Sequence, residues 1–490
     1  MDAIETFFGY VSDATWGWAL VPFLVVLGLF FTIASWGVQF RYFARMWRVL
    51  WEKQEGAEGH ISARAALALS IGGRVGGGNV AGVAVAITLG GPGAVFWMWA
   101  IALVGMATSI VECSLAQLYK RVEPDGSYRG GPGHYIIHGL GRDYRWLAVL
   151  YAICLIAAFS LGFVAFQANT VAGSVEDSFG VGRVWTAVAL AAVAALIVTG
   201  GIRRIARTAE AVVPVMAAIY LALAFLAVIL HLPDLPDVLY RIVANALGFE
   251  EAVAGGIGAA IAQGIRRGLF SNEAGLGSVP NVAATAYARH PVGQGIVQSL
   301  SVFIATIVIC SATALMILLG DVYQAGADID GVVLVQDSLA NHFGAWAQYF
   351  LSIALVLFAF SSIIYNYYLG ETALTVMTEA RVAAHVLKAA VIAIVFAGGI
   401  AEGATAVFFF SDPLMGLLAL VNLLALIMLF PIAMRVLSDF TARRRAGEDE
   451  PLFDAAAFPD LDIDREAWRP GGPAVRVAPA APAVHRRAET

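Results

Sequence analysis

Apolar residues fill this chain in long uninterrupted stretches separated by short polar segments. An α-helix rising 1.5 Å per residue needs about 20 apolar residues to cross a hydrocarbon core of about 30 Å. Stretches of that kind lie near 17–40, 66–89, 92–118, 146–173, 184–201 and 208–230. Five more lie near 252–272, 291–319, 345–376, 383–400 and 413–434. The pattern predicts an all-α membrane protein with eleven transmembrane helices. The first stretch is preceded by Asp2, Glu5 and Asp13 rather than a basic segment, and Gln39-Phe40-Arg41 follows it instead of a small-residue cleavage site. It reads as a retained helix, not a signal peptide.

Composition agrees with that class. Of 490 residues, 60% are hydrophobic and 13% charged, against about a quarter charged in an ordinary soluble domain; the mean hydropathy is +0.77. Cys113, Cys154 and Cys310 lie far apart in apolar runs and offer neither a disulfide framework nor a metal spacing. The net charge of −6 matters less than its placement. With the N-terminus outside, the cytoplasmic segments are 41–65, 119–145, 201–209, 266–290, 377–390 and the tail from 434, and they hold 27 of the chain's 30 Lys and Arg residues. That is the positive-inside asymmetry. The opposite loops carry Glu176-Asp177, Asp234, Asp237, Asp321, Asp328 and Asp330. The expectation is a multi-pass protein of the cell membrane, surrounded by lipid, with its C-terminus cytoplasmic and no nucleic-acid partner.

Setting the first helix aside leaves five and five. Because five is odd, the second set enters the membrane from the other side, which makes an inverted repeat. The expected division is an extra helix and loop over 1–65, a first repeat over 66–231, an external connector over 232–251, a second repeat over 252–435, and a tail over 436–490. The tail, with Arg443-Arg444-Arg445 followed by acidic and Pro/Ala-rich sequence, reads as a solvated extension, disordered toward its end.

The leading helix of each half is the glycine-rich one. In transporters built from inverted repeats, interrupted helices form the site near the midplane. The first runs Gly72-Gly73-Arg74-Val75-Gly76-Gly77-Gly78-Asn79. Five glycines cost about 1 kcal/mol each in a helix relative to alanine. Unwound backbone survives at membrane depth only where it lines a cavity or protein. Freed N–H groups suit a carboxylate, and freed carbonyls suit a small cation. The competing reading is close helix packing through small residues. In the second, Gly255–Gly258 is the segment expected to unwind, while Ser271–Ser278 reads as an inner gate or loop. Gln167 is either interhelical glue or a ligand contact. Arg74 either pairs with an acid, Glu112 being nearest in depth, or snorkels to the cytoplasm. His134 and His138 have i,i+4 spacing but no third ligand for zinc.

Val75-Gly-Gly-Gly-Asn-Val-Ala-Gly-Val83, Gly90-Gly-Pro-Gly-Ala-Val-Phe-Trp-Met-Trp99 and Arg267-Gly-Leu-Phe-Ser-Asn-Glu-Ala-Gly-Leu-Gly-Ser-Val-Pro-Asn281 resemble the alanine/glycine:cation symporter family. Gly130-Gly-Pro132, Gln167-Ala-Asn169, Ala359-Phe-Ser361 and Gly370-Glu371 match it too. The resemblance covers residues 15 to 445. It implies sodium-coupled symport of a small neutral amino acid on a leucine-transporter-like, five-plus-five fold preceded by one helix. It further implies that the N–H groups of Gly77 and Gly78, beside Gly76 and Asn79, hold the substrate carboxylate near Gln167. Gly256, Ile257, Ser362 and Asn366 would complete the pocket. Sodium would be bound by carbonyls of Gly72, Val75 and Phe358 and by hydroxyls of Ser361 and Ser362, an oxygen set that suits a hard cation. Two positions depart from the family. Many members have Thr at Gly77, and many have Gly-Trp-Ser where this chain reads Tyr365-Asn366-Tyr367.

Other classes fit poorly. The only lysines are Lys53, Lys120 and Lys388, so no nucleotide-binding Gly-x-x-x-x-Gly-Lys motif occurs. No Ser/His/Asp set and no His-Glu-x-x-His motif lies at membrane depth, which argues against an enzyme and a cofactor. A channel would need a selectivity ring.

Overall fold

The computed structural model describes residues 16, 19–49, 60–198, 202–249, 256–320, 322–324, 331–401 and 404–472. Its longer helices are α1 (Val21–Ala34), α2 (Ala63–Arg74), α3 (Gly77–Gly90), α4 (Gly93–Leu118) and α5 (Arg142–Phe179). They continue with α6 (Arg183–Val198), α7 (Ile202–Leu230), α8 (Leu235–Leu247), α9 (Gly256–Asn272), α10 (Ser278–Ala283) and α11 (Pro291–Leu319). The last are α12 (Gly331–Phe343), α13 (Trp346–Met377), α14 (Arg381–Ile400) and α15 (Ala404–Arg445). One two-stranded hairpin pairs Arg121–Val122 with Tyr128–Arg129.

A helix or a broken helix lies on each of the eleven predicted stretches. Among the described residues six are long and apolar enough to cross a membrane on their own, or seven if α7 and α8, bent by 104°, count as one span. Besides the short α10, two helices go beyond the prediction. α8 occupies the expected external connector, and α12 lies between two predicted spans. α8 buries Val238, Ile242 and Ala246 while Leu239 and Tyr240 stay exposed, so it is a short amphipathic element rather than a span.

Breaks in two helices organise the centre. α2 ends at Arg74 and α3 begins at Gly77, with Val75 and Gly76 both in extended backbone. The second break is not where glycine density placed it. Gly255 lies outside the described residues, and Gly256, Ile257 and Gly258 open an uninterrupted helix. The chain breaks between Asn272 and Ser278, within the Ser271–Ser278 stretch expected to form a gate or loop. There Glu273, Gly275 and Gly277 all have positive φ (54°, 87° and 77°), and α10 follows as a single short helix. Two π-helical segments, Ile156–Phe163 in α5 and Phe303–Cys310 in α11, sit at the level of these breaks.

The tail also differs from the solvated extension expected of it. α15 runs on to Arg445, past the expected boundary at 435. Residues beyond it lie against the loops that hold Arg121 and Arg289: Phe453 donates its backbone N–H to the Arg289 carbonyl (2.8 Å). Arg435 holds Asp460 through two bonds (2.6 and 2.9 Å), and Arg121 pairs with Asp462. Trp468 packs edge-on against Phe453. Together with Tyr128 it encloses Lys120, whose Nζ lies 4.0 Å from the Tyr128 ring and 4.5 Å from the Trp468 ring. Residues 473–490 lie outside the described residues.

Candidate functional site

The first break brings α13 and α5 to its two sides. On the α13 side, Ser361 Oγ donates to the Gly72 carbonyl and to the Phe358 carbonyl, each at 2.8 Å. Ser362 Oγ donates to the carbonyls of Gly73 (2.9 Å) and Gly72 (3.3 Å). Consecutive serines can both reach α2 because its last turn has no continuing helix to consume those carbonyls. Gly72, Phe358, Ser361 and Ser362 therefore converge, with Val75 in the extended segment beside them. The set is neutral and all oxygen, and no cluster of His, Cys, Asp and Glu that could hold a metal occurs among the described residues. Rotating the two hydroxyls turns their lone pairs toward the same space, which makes the cluster able to ligate a small hard cation.

On the α5 side, the Gly77 N–H donates to Gln167 Oε1 at 2.9 Å. An orphan N–H at the first turn of α3 thus already binds a side-chain oxygen, the kind of acceptor a carboxylate would present. Glycine is required at the break for close approach. A Cβ on Gly76 would lie 2.8 Å from Ser362 Oγ and 2.9 Å from Gln167 Nε2. A Cβ on Gly77 would lie 2.9 Å from Thr170 Oγ1, and one on Gly78 would lie 2.9 Å from the Phe270 ring. Gly76 has a φ of −171°, ordinary extended backbone, so space rather than dihedral strain demands glycine there.

Other expected site residues fall elsewhere. Asn79, two positions beyond Gly77 and so on another face of α3, donates to Ser271 Oγ and to the Ala305 carbonyl, both at 2.9 Å. It ties α3 to α9 and α11 rather than joining Gln167. Gly256 and Ile257 are not at the break. α9 runs antiparallel to α3, with Phe270 against Gly78 and Ala259 and Gln263 against Gly90. The Gly90 end is about 18 Å from Gly78 at 1.5 Å per residue. Ile257 is 42% exposed there. Asn366 is buried on α13, one turn beyond Ser362.

Thr170, Phe163, Phe166 and Phe270 were not legible as site residues. Thr170 stands one turn from Gln167, a spacing that puts both on one face of α5. Phe270 stacks on Phe163 with centroids 4.0 Å apart and meets Phe166 edge-on at 5.3 Å, an aromatic wall beside Gly78. No sequence pattern distinguishes these rings from ordinary core.

The second break is filled by the protein's own polar groups. Glu112 on α4 accepts the Gly275 N–H (3.1 Å) and an Asn422 N–H (3.1 Å), and Asn422 also donates to the Gly275 carbonyl (2.9 Å). Tyr135 donates its hydroxyl to Asn422. Glu273 accepts from Ser278 and from Tyr365 (3.0 Å). The Tyr365 ring packs on Gly73, so this side chain links the two breaks. Arg74 neither snorkels nor forms a direct ion pair among the described residues. Its guanidinium, 2% exposed, donates to Ser301 and interacts electrostatically with both Glu112 and Glu273.

Comparison with known proteins identifies the family. Residues 1–455 match the model of the sodium:alanine symporter family. The chain is 45% identical to the amino-acid carrier protein AlsT of Bacillus subtilis (strain 168), across 95% of this chain and 98% of that one. It is 41% identical to the probable sodium/glutamine symporter GlnT of the same organism, over 92% and 93% of the two chains. It is 34% identical to the sodium/proton-dependent alanine carrier protein of Bacillus sp. (strain PS3), over 82% and 93%. Among solved structures, MhsT in complex with L-phenylalanine superposes with a TM-score of 0.50 at 15% identity, over 79% of this chain and 99% of that one; this likeness bears on the fold. The chain therefore belongs to the sodium:alanine symporter family: it is a multi-pass amino-acid symporter with a leucine-transporter-like fold, not an enzyme.

Proposed function

We propose that this protein couples the inward movement of sodium to that of a small neutral amino acid, alanine or glycine, by alternating access. The observation that carries the reading is the first break. There the Gly72 and Phe358 carbonyls and the Ser361 and Ser362 hydroxyls meet on one side, while the Gly77 N–H meets Gln167 on the other. Sodium is co-transported cargo, ligated by Gly72, Val75, Phe358, Ser361 and Ser362. The substrate carboxylate takes the N–H groups of Gly77 and Gly78, displacing the Gln167 oxygen, which leaves Gln167 to hydrogen-bond the substrate. Gly76 gives both ligands room, because any Cβ there would collide with Ser362 and Gln167. Asn79 holds α3 in place through Ser271, outside the direct contacts. Gly256 and Ile257 drop out of the pocket.

Coupling follows from shared backbone. Sodium fixes α13 to the end of α2, and so fixes the break whose next N–H groups receive the carboxylate. Each charge moving down 100 mV releases about 2.3 kcal/mol, enough to concentrate a neutral solute. The reading includes eleven crossings, with the N-terminus outside and the tail in the cytoplasm. It also includes repeats over 66–231 and 252–435, which rock against each other around the breaks.

Uptake of labelled alanine and glycine into proteoliposomes, with and without an inward sodium gradient, tests the proposal. Accumulation above the external concentration only with the gradient is expected. A leak that never concentrates the amino acid contradicts it.

A further inference from the structure

Asn366 carries a chemistry that alanine and glycine do not use. It is 1% exposed, and neither its Nδ2 nor its Oδ1 has a hydrogen-bond partner among the described residues. Only its backbone carbonyl is engaged, by Ser160 (2.8 Å). A buried polar atom left without a partner costs about 1–3 kcal/mol, and this side chain has two. Its position is informative. Asn366 follows Ser362 by four residues, so the two lie one above the other on the same face of α13. Ser362 is the hydroxyl that a Cβ on Gly76 would strike at 2.8 Å. The unpartnered amide therefore stands one helical turn from the break at which the amino acid is anchored. Thr170, across the break on α5, adds a buried hydroxyl oxygen without a partner among the described residues, and a Cβ on Gly77 would come within 2.9 Å of it.

We propose that Asn366 selects substrates with a carboxamide side chain, so that glutamine or asparagine is favoured over an apolar or acidic amino acid of the same length. The proposal rests on the reading of the first break as the substrate anchor and extends it to the side chain. A primary amide presents one donor group and one acceptor side by side, and its complement is another carboxamide, giving two N–H···O bonds in reciprocal directions. A methylene chain ending in a methyl leaves both Asn366 atoms unsatisfied. A carboxylate offers acceptors only and sets its charge against Oδ1. Sites built to hydrogen-bond a substrate group reject analogues lacking it far more strongly than apolar pockets reject an extra methylene. Where many family members place an indole, the shorter Asn366 also leaves length for a side chain beyond alanine's methyl.

The test is competition against labelled alanine uptake in proteoliposomes under an inward sodium gradient, using glutamine, asparagine, glutamate and methionine. Binding of the same four compounds is also measured, by thermal shift of the purified protein in sodium. In the wild type, one of the two carboxamides is expected to compete at a concentration at least about tenfold below methionine and glutamate. In Asn366→Leu the ratio of carboxamide to methionine affinity should collapse toward one; Asn366→Ser serves if the leucine variant does not fold. Sodium-driven alanine uptake in the wild type with no advantage for either carboxamide overturns this inference and leaves the symport reading intact. An unchanged ratio in a folded variant overturns it as well. Absence of sodium-driven alanine uptake sinks the symport reading itself.

Discussion

The two helix breaks at the centre of this protein are built from similar material and are used in opposite ways. Between Arg74 and Gly77 the break is lined by neutral groups: two serine hydroxyls on carbonyls, and one amide oxygen on one N–H. Between Asn272 and Ser278 the break is locked by buried carboxylates and an amide, with Glu112, Glu273 and Asn422 consuming the backbone of Gly275 and the side chains of Ser278 and Tyr365. In the proposed mechanism the first gives up its bonds to a ligand, whereas the second is satisfied by the protein itself. A broken helix is therefore not by itself a binding site; what matters is whether the freed backbone is satisfied internally.

Substitutions can sharpen or break that contrast. The largest effect is expected from Glu112→Ala, which strips the acceptor from the Gly275 N–H and from Asn422 in a site closed to water. A loss of about 3 kcal/mol follows from buried donors left unpaired, read as a lowered unfolding temperature without any ligand. Next is Gly76→Ala, whose Cβ must push aside Ser362 or Gln167. Uptake should fall about 100-fold, as misplacement of reacting groups by about 1 Å typically costs. Its unfolding temperature should drop less than that of Glu112→Ala. If the two variants swap these signatures, the division of labour between the breaks is wrong.

Ser361→Ala and Ser362→Ala each remove one oxygen from the proposed cation cluster. The concentration of sodium for half-maximal uptake should rise about tenfold, the equivalent of about 1.4 kcal/mol and the worth of one hydrogen bond or ligand contact. The maximal rate at saturating sodium should change less. Ile257→Ala is the smallest: placed about 18 Å along α9 from the break and partly exposed, it should alter uptake by less than about twofold, since surface substitutions stay within about 0.5 kcal/mol. A large loss there would return the Gly256 end of α9 to the pocket.

The first break was legible because its cause is local: five glycines in eight residues weaken a helix wherever they occur. The second was legible in part: Ser271–Ser278 read as a gate or loop, and the helix does end there, whereas Gly256–Gly258, expected to unwind, open a helix. Gly255–Gly258 carries the glycine density, and Gly256 has a positive φ of 71°, but from there to Asn272 the chain is one helix. Glu273-Ala274-Gly275 leaves the helix because Glu112, more than 160 positions away in sequence, takes the Gly275 N–H, and tertiary bonds override propensity. Gln167 could be singled out as a buried amide in an apolar run, but Phe166 and Phe270 look like any other core ring. The tail misled in the same manner. Phe453, Phe458 and Trp468 are too widely spaced to form a periodic signal, yet they pack together and close over Lys120.

The account stands or falls on sodium and the amino acid meeting at the first break. The direct measurement is the affinity of purified wild-type protein for alanine with and without sodium, repeated in the Ser361→Ala, Ser362→Ala double variant. Linkage requires that sodium tighten alanine binding by the same factor by which alanine tightens sodium binding. The prediction is a factor of about ten or more in the wild type, lost in the double variant while sodium-free alanine binding persists. Alanine binding that ignores sodium, or a double variant that keeps the full sodium effect, would contradict it.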